Sequence, residues 1–283
     1  METFDQVISI RKLNDMTNRN VLAITNMVES IAASRGVPTG TDPTPHSIIV
    51  AVGGDGTMLE AMRLAQRSGA YVIGVNMGNV GFLSELSAKD RESLKEEFQR
   101  LFSDQWRYHH RIETRWFIRA KLSDNSASVV AGNEVSVAGE KSDEMIRYQL
   151  LIDGADAGIH RANSLLVATP TGSTAYSMSA GGALMVPNMK ALQIVPVAPF
   201  TLTSRPIIVS GSSVIQIRAW GAKVAVRLDG NERYVADRSH TQEDPYVVRI
   251  DIDDHGPVNM VHAADWNYFN VLTEKLGWQR EDL

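Results

Sequence analysis

Two hydrophobic rhythms divide the chain near residue 112. Before it, apolar residues recur every three or four positions or gather in unbroken runs. Val7 opens a short strand, a turn follows near Asn14, and Val21, Ile24, Val28 and Ile31 form one face of a helix running to Arg35. The loop from Gly36 to Pro45, with three prolines and two glycines, feeds the run Ile48-Ile49-Val50-Ala51-Val52. That run reads as a strand buried on both faces, as in a parallel sheet. Met58, Leu59, Met62 and Ala65 then mark a helix, and Tyr71 to Val75 a further buried strand, completing a βαβ unit. Ser87 is placed to cap a helix with Asp90 at its third position and Leu94, Phe98, Leu101 and Phe102 as its buried stripe.

Beyond residue 112 the period drops to two. Trp116, Ile118, Ala120 and Leu122 alternate with polar positions, as do Val135 and Val137, Leu150 and Ile152, Ile215 and Ile217, and Val224, Val226 and Leu228. Asp153-Gly154 and Asp229-Gly230 fall at strand ends, where a tight turn needs positive φ. Pro187, Pro196, Pro199 and Pro206 mark a long irregular passage. Tyr268 to Leu276 is helical, with Tyr268, Phe269, Leu272 and Leu276 on one side. The expected architecture is therefore an α/β domain with a parallel sheet over 1–112 and a mostly β, sandwich-like domain over 113–266. Residues 267–283 form a helix that packs back onto the N-terminal domain.

Composition narrows the function classes. The 283 residues carry a formal net charge of −5, with 43% hydrophobic and 22% charged residues, so there is no general basic field for nucleic acid. A polyanionic partner has to be small and held locally. Cysteine is absent, which excludes a disulfide framework, a thiolate metal site and a cysteine nucleophile, and points to the cytoplasm. No run reaches the roughly 18–20 apolar residues of a membrane helix, and no export signal is expected. His109 and His110 are adjacent and would face opposite sides of a strand, and none of the seven histidines has metal-ligand spacing, so no dedicated metal site is expected. Ser173 has no local base and no Gly-x-Ser-x-Gly elbow exists, which argues against acyl transfer.

Three features carry candidate chemistry. Gly53-Gly54-Asp55-Gly56-Thr57 lies between a buried strand and a helix start. Its glycines admit a ligand close to the backbone, and the helix N-terminus offers N–H groups to anionic oxygen. It lacks the Gly-Lys-Ser/Thr of a P-loop and the spaced glycines of the dinucleotide fold. An acid inside such a loop repels phosphate, so Asp55 is read either as base or orienter for an attacking hydroxyl, or as a plain cap of the next helix. Thr169-Pro170-Thr171-Gly172-Ser173-Thr174-Ala175-Tyr176 crowds hydroxyls and one ring at a strand-to-helix turn. It suits hydrogen bonding to an adenine edge or an amide, or is a Ser/Thr-rich cap with Tyr176 in the core. Asn133-Glu134 sets an amide beside a carboxylate within a strand pattern, as the vicinal hydroxyls of a ribose require, or marks a strand end signalled by Gly132.

Taken in order, Gly53–Thr57 with Leu59 and Ala61, Gly78-Asn79-Val80-Gly81-Phe82-Leu83, Asn133-Glu134, the octet ending at Tyr176, and Ser179-Ala180-Gly181-Gly182 strongly resemble the NAD kinase family. The resemblance continues to Tyr268-Phe269-Asn270 and Lys275-Leu276-Gly277-Trp278. It implies the Rossmann-like N-terminal domain of that family, with NAD bound by the β-rich domain. The implied reaction moves the γ-phosphoryl group of ATP to the 2′-hydroxyl of the adenosine ribose of NAD, giving NADP. A divalent cation, Mg²⁺ delivered with ATP, and a homo-oligomer, dimer or tetramer, are implied as well.

The family's catalytic acid falls on Asp55, with Gly53, Gly54, Gly56 and Thr57 around it. Asn133 and Glu134 would hold the ribose; Thr171, Thr174, Ala175, Tyr176 and Ser179 would line the NAD pocket; Arg161 matches a basic NAD-site position. Asn163-Ser164 stands where the family usually has Asp-Gly, and Asn231 where a family turn ends in Gln. Two other readings compete. A lipid or sugar kinase would use the same glycine loop and leave the octet without a purpose. A dinucleotide-binding protein without turnover would keep the pocket alone.

Overall fold

The computed structural model describes residues 3–10, 18–78, 81–84, 86–124, 128–141 and 143–278. The turn expected at Asn14 and the motif residues Asn79 and Val80 lie outside them. In chain order the elements are β1 (Val7–Ile10), α1 (Arg19–Ser34), β2 (Ile48–Val52), α2 (Asp55–Ser68), β3 (Tyr71–Asn76), β4 (Leu86–Ser87), α3 (Arg91–Leu101), α4 (Trp106–His109) and β5 (His110–Arg115). Next come β6 (Ile118–Leu122), β7 (Ser128–Ala131), β8 (Glu134–Gly139), β9 (Ile146–Ile152), β10 (Ala155–Ala162) and β11 (Ser164–Ala168). The chain ends with α5 (Tyr176–Ser179), β12 (Ala191–Val197), β13 (Ile207–Ser210), β14 (Ile215–Trp220), β15 (Lys223–Leu228), β16 (Glu232–Ser239), β17 (Tyr246–Ile252), β18 (Val258–Ala263) and α6 (Tyr268–Leu276). They fall into two compact units, 1–114 with 257–283, and 115–256.

The first unit holds one sheet in the order β1-β2-β3-β18-β5, with β4 beside β3. The β1–β2, β2–β3 and β3–β18 pairs are parallel. Every residue of β2 is buried, which is why its sequence shows no polar alternation. Helix α1 lays Val21, Ile24, Val28 and Ile31 into the core, α2 adds Met58, Leu59, Met62 and Ala65, and α3 adds Leu94, Phe98 and Leu101. Each of these side chains other than Ala65 contributes on the order of 1.5–3 kcal/mol by leaving water.

Four expectations need correcting here. The boundary expected at 266 falls at 257, because β18 pairs with β3, Asn259 opposite Tyr71 and Met260 opposite Val72. Helix α3 is capped by Asp90, whose carboxylate accepts from the Ser93 N–H; Ser87 is taken up by β4. In α6 only Tyr268 and Leu272 are buried, while Phe269 is exposed and stacks on Trp278 at 6.0 Å. His109 and His110 do not share a strand: one ends α4 and the other opens β5, where it is buried with Nε2 2.9 Å from Glu97 Oε1.

The second unit is a sandwich of two six-stranded sheets, β10-β9-β14-β17-β6-β7 and β13-β12-β11-β8-β15-β16. Alternate residues of both sheets meet in one core: Ile118, Ala120, Tyr148, Leu150, Ile217 and Val248 from the first, and Val135, Val137, Leu165, Val167, Val224 and Val226 from the second. The period-two pattern is the direct record of that packing. Asp153 and Asp229 take positive φ, 52° and 49°, each followed by a left-handed glycine that closes a hairpin.

Candidate active site

In the first unit the glycine motif is the turn from β2 into α2. Gly54 caps the helix with no side chain, so the Asp55 and Gly56 N–H groups meet no side-chain cap, while the Thr57 N–H donates to the Gly54 carbonyl at 2.9 Å; Gly54 and Gly56 are exposed. Asp55, half-buried, does not cap its own helix. Its Oδ2 accepts from the Phe82 N–H at 3.1 Å and its Oδ1 from the Leu83 N–H at 3.3 Å. Gly81 has to be glycine for this grip, since a Cβ there would overlap the Asp55 carboxylate. The resemblance motif around residues 78–83 is thereby tied to the glycine loop. Thr57 is fully buried, and its Oγ1 has no hydrogen-bond partner among the described residues.

In the second unit the Asn133-Glu134 pair is held by an acid that sequence reading took only for a turn residue. Asp229 accepts from the N–H groups of Gly132, Asn133 and Glu134 at 2.9, 2.7 and 3.1 Å, and its own N–H donates to the Glu134 carbonyl. The β8–β15 register, Leu228 opposite Val135, delivers it there. From the other side the Thr169 N–H donates to the Asn133 carbonyl and the Thr169 hydroxyl to that of Gly132. Gly172 packs so closely on the Asn133 backbone that a Cβ would collide with its carbonyl.

Glu134 then projects from the sheet face opposite the core. It is 5% exposed, and burial, followed by the nearby Asp229 charge, pushes its pKa up to about 7; the Tyr176 N–H, donating to the carboxylate, opposes the shift. It lines a pocket of about 300 Å³ together with Ser136, Asn163, Ser164, Tyr176 and Arg227, among others. Tyr176 is 46% exposed, so it is available for stacking and not a core residue.

Three of the sequence-predicted residues, Glu134, Asn163 and Tyr176, therefore share this pocket. Thr171 is buried beneath the turn that precedes Tyr176, Thr174 and Ala175 are half-buried in it, and Ser179 is exposed at the end of α5. Arg161 lies elsewhere, on β10, with its guanidinium 5.0 Å above the Phe200 ring. Asn231 is exposed within the β15–β16 turn, and its neighbour Gly230 lines the pocket instead. The sequence reading missed Asp229 as an anchor, and Ser136 and Arg227 as lining. Their signal was phase: Ser136 sits between Val135 and Val137, and Arg227 between Val226 and Leu228, polar residues on the outward beat of strands whose inward beat is core.

Comparison with known proteins decides the family. Residues 40–105 match the ATP-NAD kinase N-terminal domain and residues 132–243 the ATP-NAD kinase C-terminal domain. An NAD kinase of Erwinia tasmaniensis is 34% identical over 252 residues, covering 87% of this chain and 82% of the relative. The chain belongs to the NAD kinase family. An Escherichia coli NAD kinase is 35% identical over 237 residues, covering 83% and 77% of the two chains.

Two solved structures share the fold. Yeast NADH kinase complexed with NADH superposes with a TM-score of 0.78 at 22% identity, covering 98% of this chain and 89% of that one. An NAD kinase from Archaeoglobus fulgidus in complex with ATP gives 0.71 at 25%, covering 96% and 98%. As an NAD kinase the protein is an ATP-dependent phosphotransferase that converts NAD to NADP. The similarities give no support to a lipid or sugar kinase, or to a binder without turnover.

Proposed function

We propose that Asp55 orients the 2′-hydroxyl of the adenosine ribose of NAD and accepts its proton as that oxygen attacks the γ-phosphorus of ATP. The new O–P bond forms while the bond from the γ-phosphorus to the bridging oxygen breaks, and ADP departs. The observation that carries this reading is the hold of the Phe82 and Leu83 N–H groups on both oxygens of Asp55. The carboxylate is oriented at an open, glycine-lined turn and is not spent on closing a helix end. Phosphoryl transfer asks mainly for such positioning and for charge neutralisation.

In the second unit Glu134 and Asn133 hold a ribose, and Tyr176 stacks on a ring of NAD. Thr171, Thr174 and Ala175 build the turn that presents Tyr176, Ser179 follows it at the end of α5, and Asn163, of the same length but without the charge, takes the place of the family's acid as a neutral hydrogen-bonding group. Mg²⁺ arrives bound to ATP, because the single carboxylate of the glycine turn cannot supply the octahedral oxygen set that ion demands. A cluster with ligand spacing, Asp253, Asp254 and His255, is tied instead to Arg119, which lies 2.6 Å from Asp254. A homo-oligomer, dimer or tetramer, fits the exposed apolar side chains Phe200, Leu202 and Ile208 of the second unit, and the absence of cysteine fits the cytoplasm.

The test is NADP formation from NAD, ATP and Mg²⁺ by the wild type and by Asp55→Asn. The variant is expected to lose about 10²–10⁴ in kcat with NAD affinity nearly unchanged. Parallel loss of affinity and rate would make Asp55 a structural acid of the 82–83 loop.

A further inference from the structure

The pocket of the second unit holds a cation that the reaction as described does not use. Arg227 on β15 stands directly across from Ser136 on β8, and Ser136 follows Glu134 by two positions on the same sheet face. Two strand residues span ~6.6 Å. Arg227 is half-buried and, among the described residues, its side chain makes no hydrogen bond or ion pair. Its neighbours differ. Arg233, paired opposite it on β16, donates to the Glu140 carbonyl, and Lys223 lies 3.7 Å from the Glu140 carboxylate.

Glu134 is answered only in part, by the Tyr176 N–H. Its Oε2 has no hydrogen-bond partner, and the groups acting on its ionisation are Asp229 and the Tyr176 amide, with no cation among them. A buried carboxylate and a half-buried guanidinium on one pocket wall are costly unless a ligand answers both. The ligand must offer hydroxyl donors at one end and an anion about two strand residues away. A ribose has that reach from its vicinal 2′ and 3′ hydroxyls to its 5′-phosphate.

We infer that Arg227 binds the 5′-phosphate of a ribose whose vicinal hydroxyls donate to Glu134, so that the pocket selects a nucleotide over the matching nucleoside. The inference rests on the reading of this pocket as part of the NAD site, and it makes Arg227 a positioning residue that this chain places on the outward beat of β15. Lys141, also on the pocket wall, is more exposed and already paired with Glu144 at 3.5 Å, which leaves Arg227 as the principal anion contact.

Binding of four probes to the full-length protein tests this: nicotinamide riboside against nicotinamide mononucleotide, and adenosine against AMP. In the wild type the phosphorylated member of one pair is expected to bind about tenfold tighter or better, and the pair that responds identifies which half of NAD occupies the pocket. Arg227→Met should abolish that difference while leaving the nucleoside's affinity in place, and Arg227→Lys should restore part of it. Glu134→Gln should weaken both members alike. In turnover, Arg227→Met should raise the KM for NAD about tenfold with a much smaller change in kcat.

A wild type that does not discriminate within either pair, or an Arg227→Met that loses nucleoside and nucleotide equally, overturns the inference. Failure of the kinase reading is separate: it appears as absence of NADP formation by the wild type, whatever the probes show.

Discussion

The glycine turn of the first unit and the pocket of the second both orient a carboxylate, by opposite means. At the turn, backbone N–H groups from a short loop hold a side chain, Asp55, in place. At the pocket, a side chain, Asp229, holds backbone, and the residue that faces the pocket, Glu134, is carried by the strand so fixed. The turn is thus a rigid acid on an open backbone, suited to a step that demands alignment. The pocket is a rigid backbone bearing a buried acid, suited to recognition. Damage to the first should appear in rate and damage to the second in stability and affinity.

That contrast can be broken or sharpened by substitution. The largest effect is expected from Asp229→Ala, which strips three N–H groups of their acceptor and should cost about 4 kcal/mol in chemical denaturation, with NAD affinity falling alongside. A stable Asp229→Ala protein with normal affinity would show that the strand needs no such anchor.

Glu134 should give the second unit a pH signature. Its native pKa, about 7, lies above the ordinary 4.5, so the native state holds the proton more tightly than the unfolded chain. Its stabilising contribution is complete below about pH 4.5 and is lost as pH rises toward about 7, a change of up to about 3 kcal/mol. Glu134→Gln should flatten that stretch of the stability profile.

Matched glycine substitutions come next. Gly172→Ala meets the Asn133 backbone, which cannot swing aside, and should lower stability by about 2 kcal/mol. Gly81→Ala meets only the Asp55 carboxylate, which can rotate away; kcat should fall while the melting temperature barely moves. If both variants lost the same property, the two regions would not differ as described. Smallest is Thr57→Val, which removes a buried, unpartnered hydroxyl and should change stability by less than about 1 kcal/mol in either direction.

What the sequence made legible follows from what is local. The unbroken Ile48–Val52 run and the alternation in β8 and β15 announced a buried parallel strand and a two-sheet core because burial on two faces or one is written directly into residue order. Glu134 and Tyr176 stood out by residue type within their strand and turn patterns, Asn163 only through the resemblance, and the structure places all three on one pocket. Asp229 was seen as a hairpin residue and missed as an anchor, since its distance from Glu134 is 95 positions along the chain and is closed only by strand register. For the same reason β18 was counted with the second unit: Val258 and Met260 alternate like the strands before them, and nothing local names β3 as their partner.

The place of β18 also has a temporal meaning. It lies between β3 and β5 in the sheet order of the first unit, yet the ribosome makes it after every strand of the second. During synthesis residues 115–256 therefore emerge with all twelve of their strands while the first unit still lacks an interior one. The Tyr71–Val72 stretch of β3 and the facing edge of β5 wait for β18 through that interval, exposed to wrong partners. The nascent chain thus completes the pocket around Glu134 first and its glycine turn's supporting sheet last.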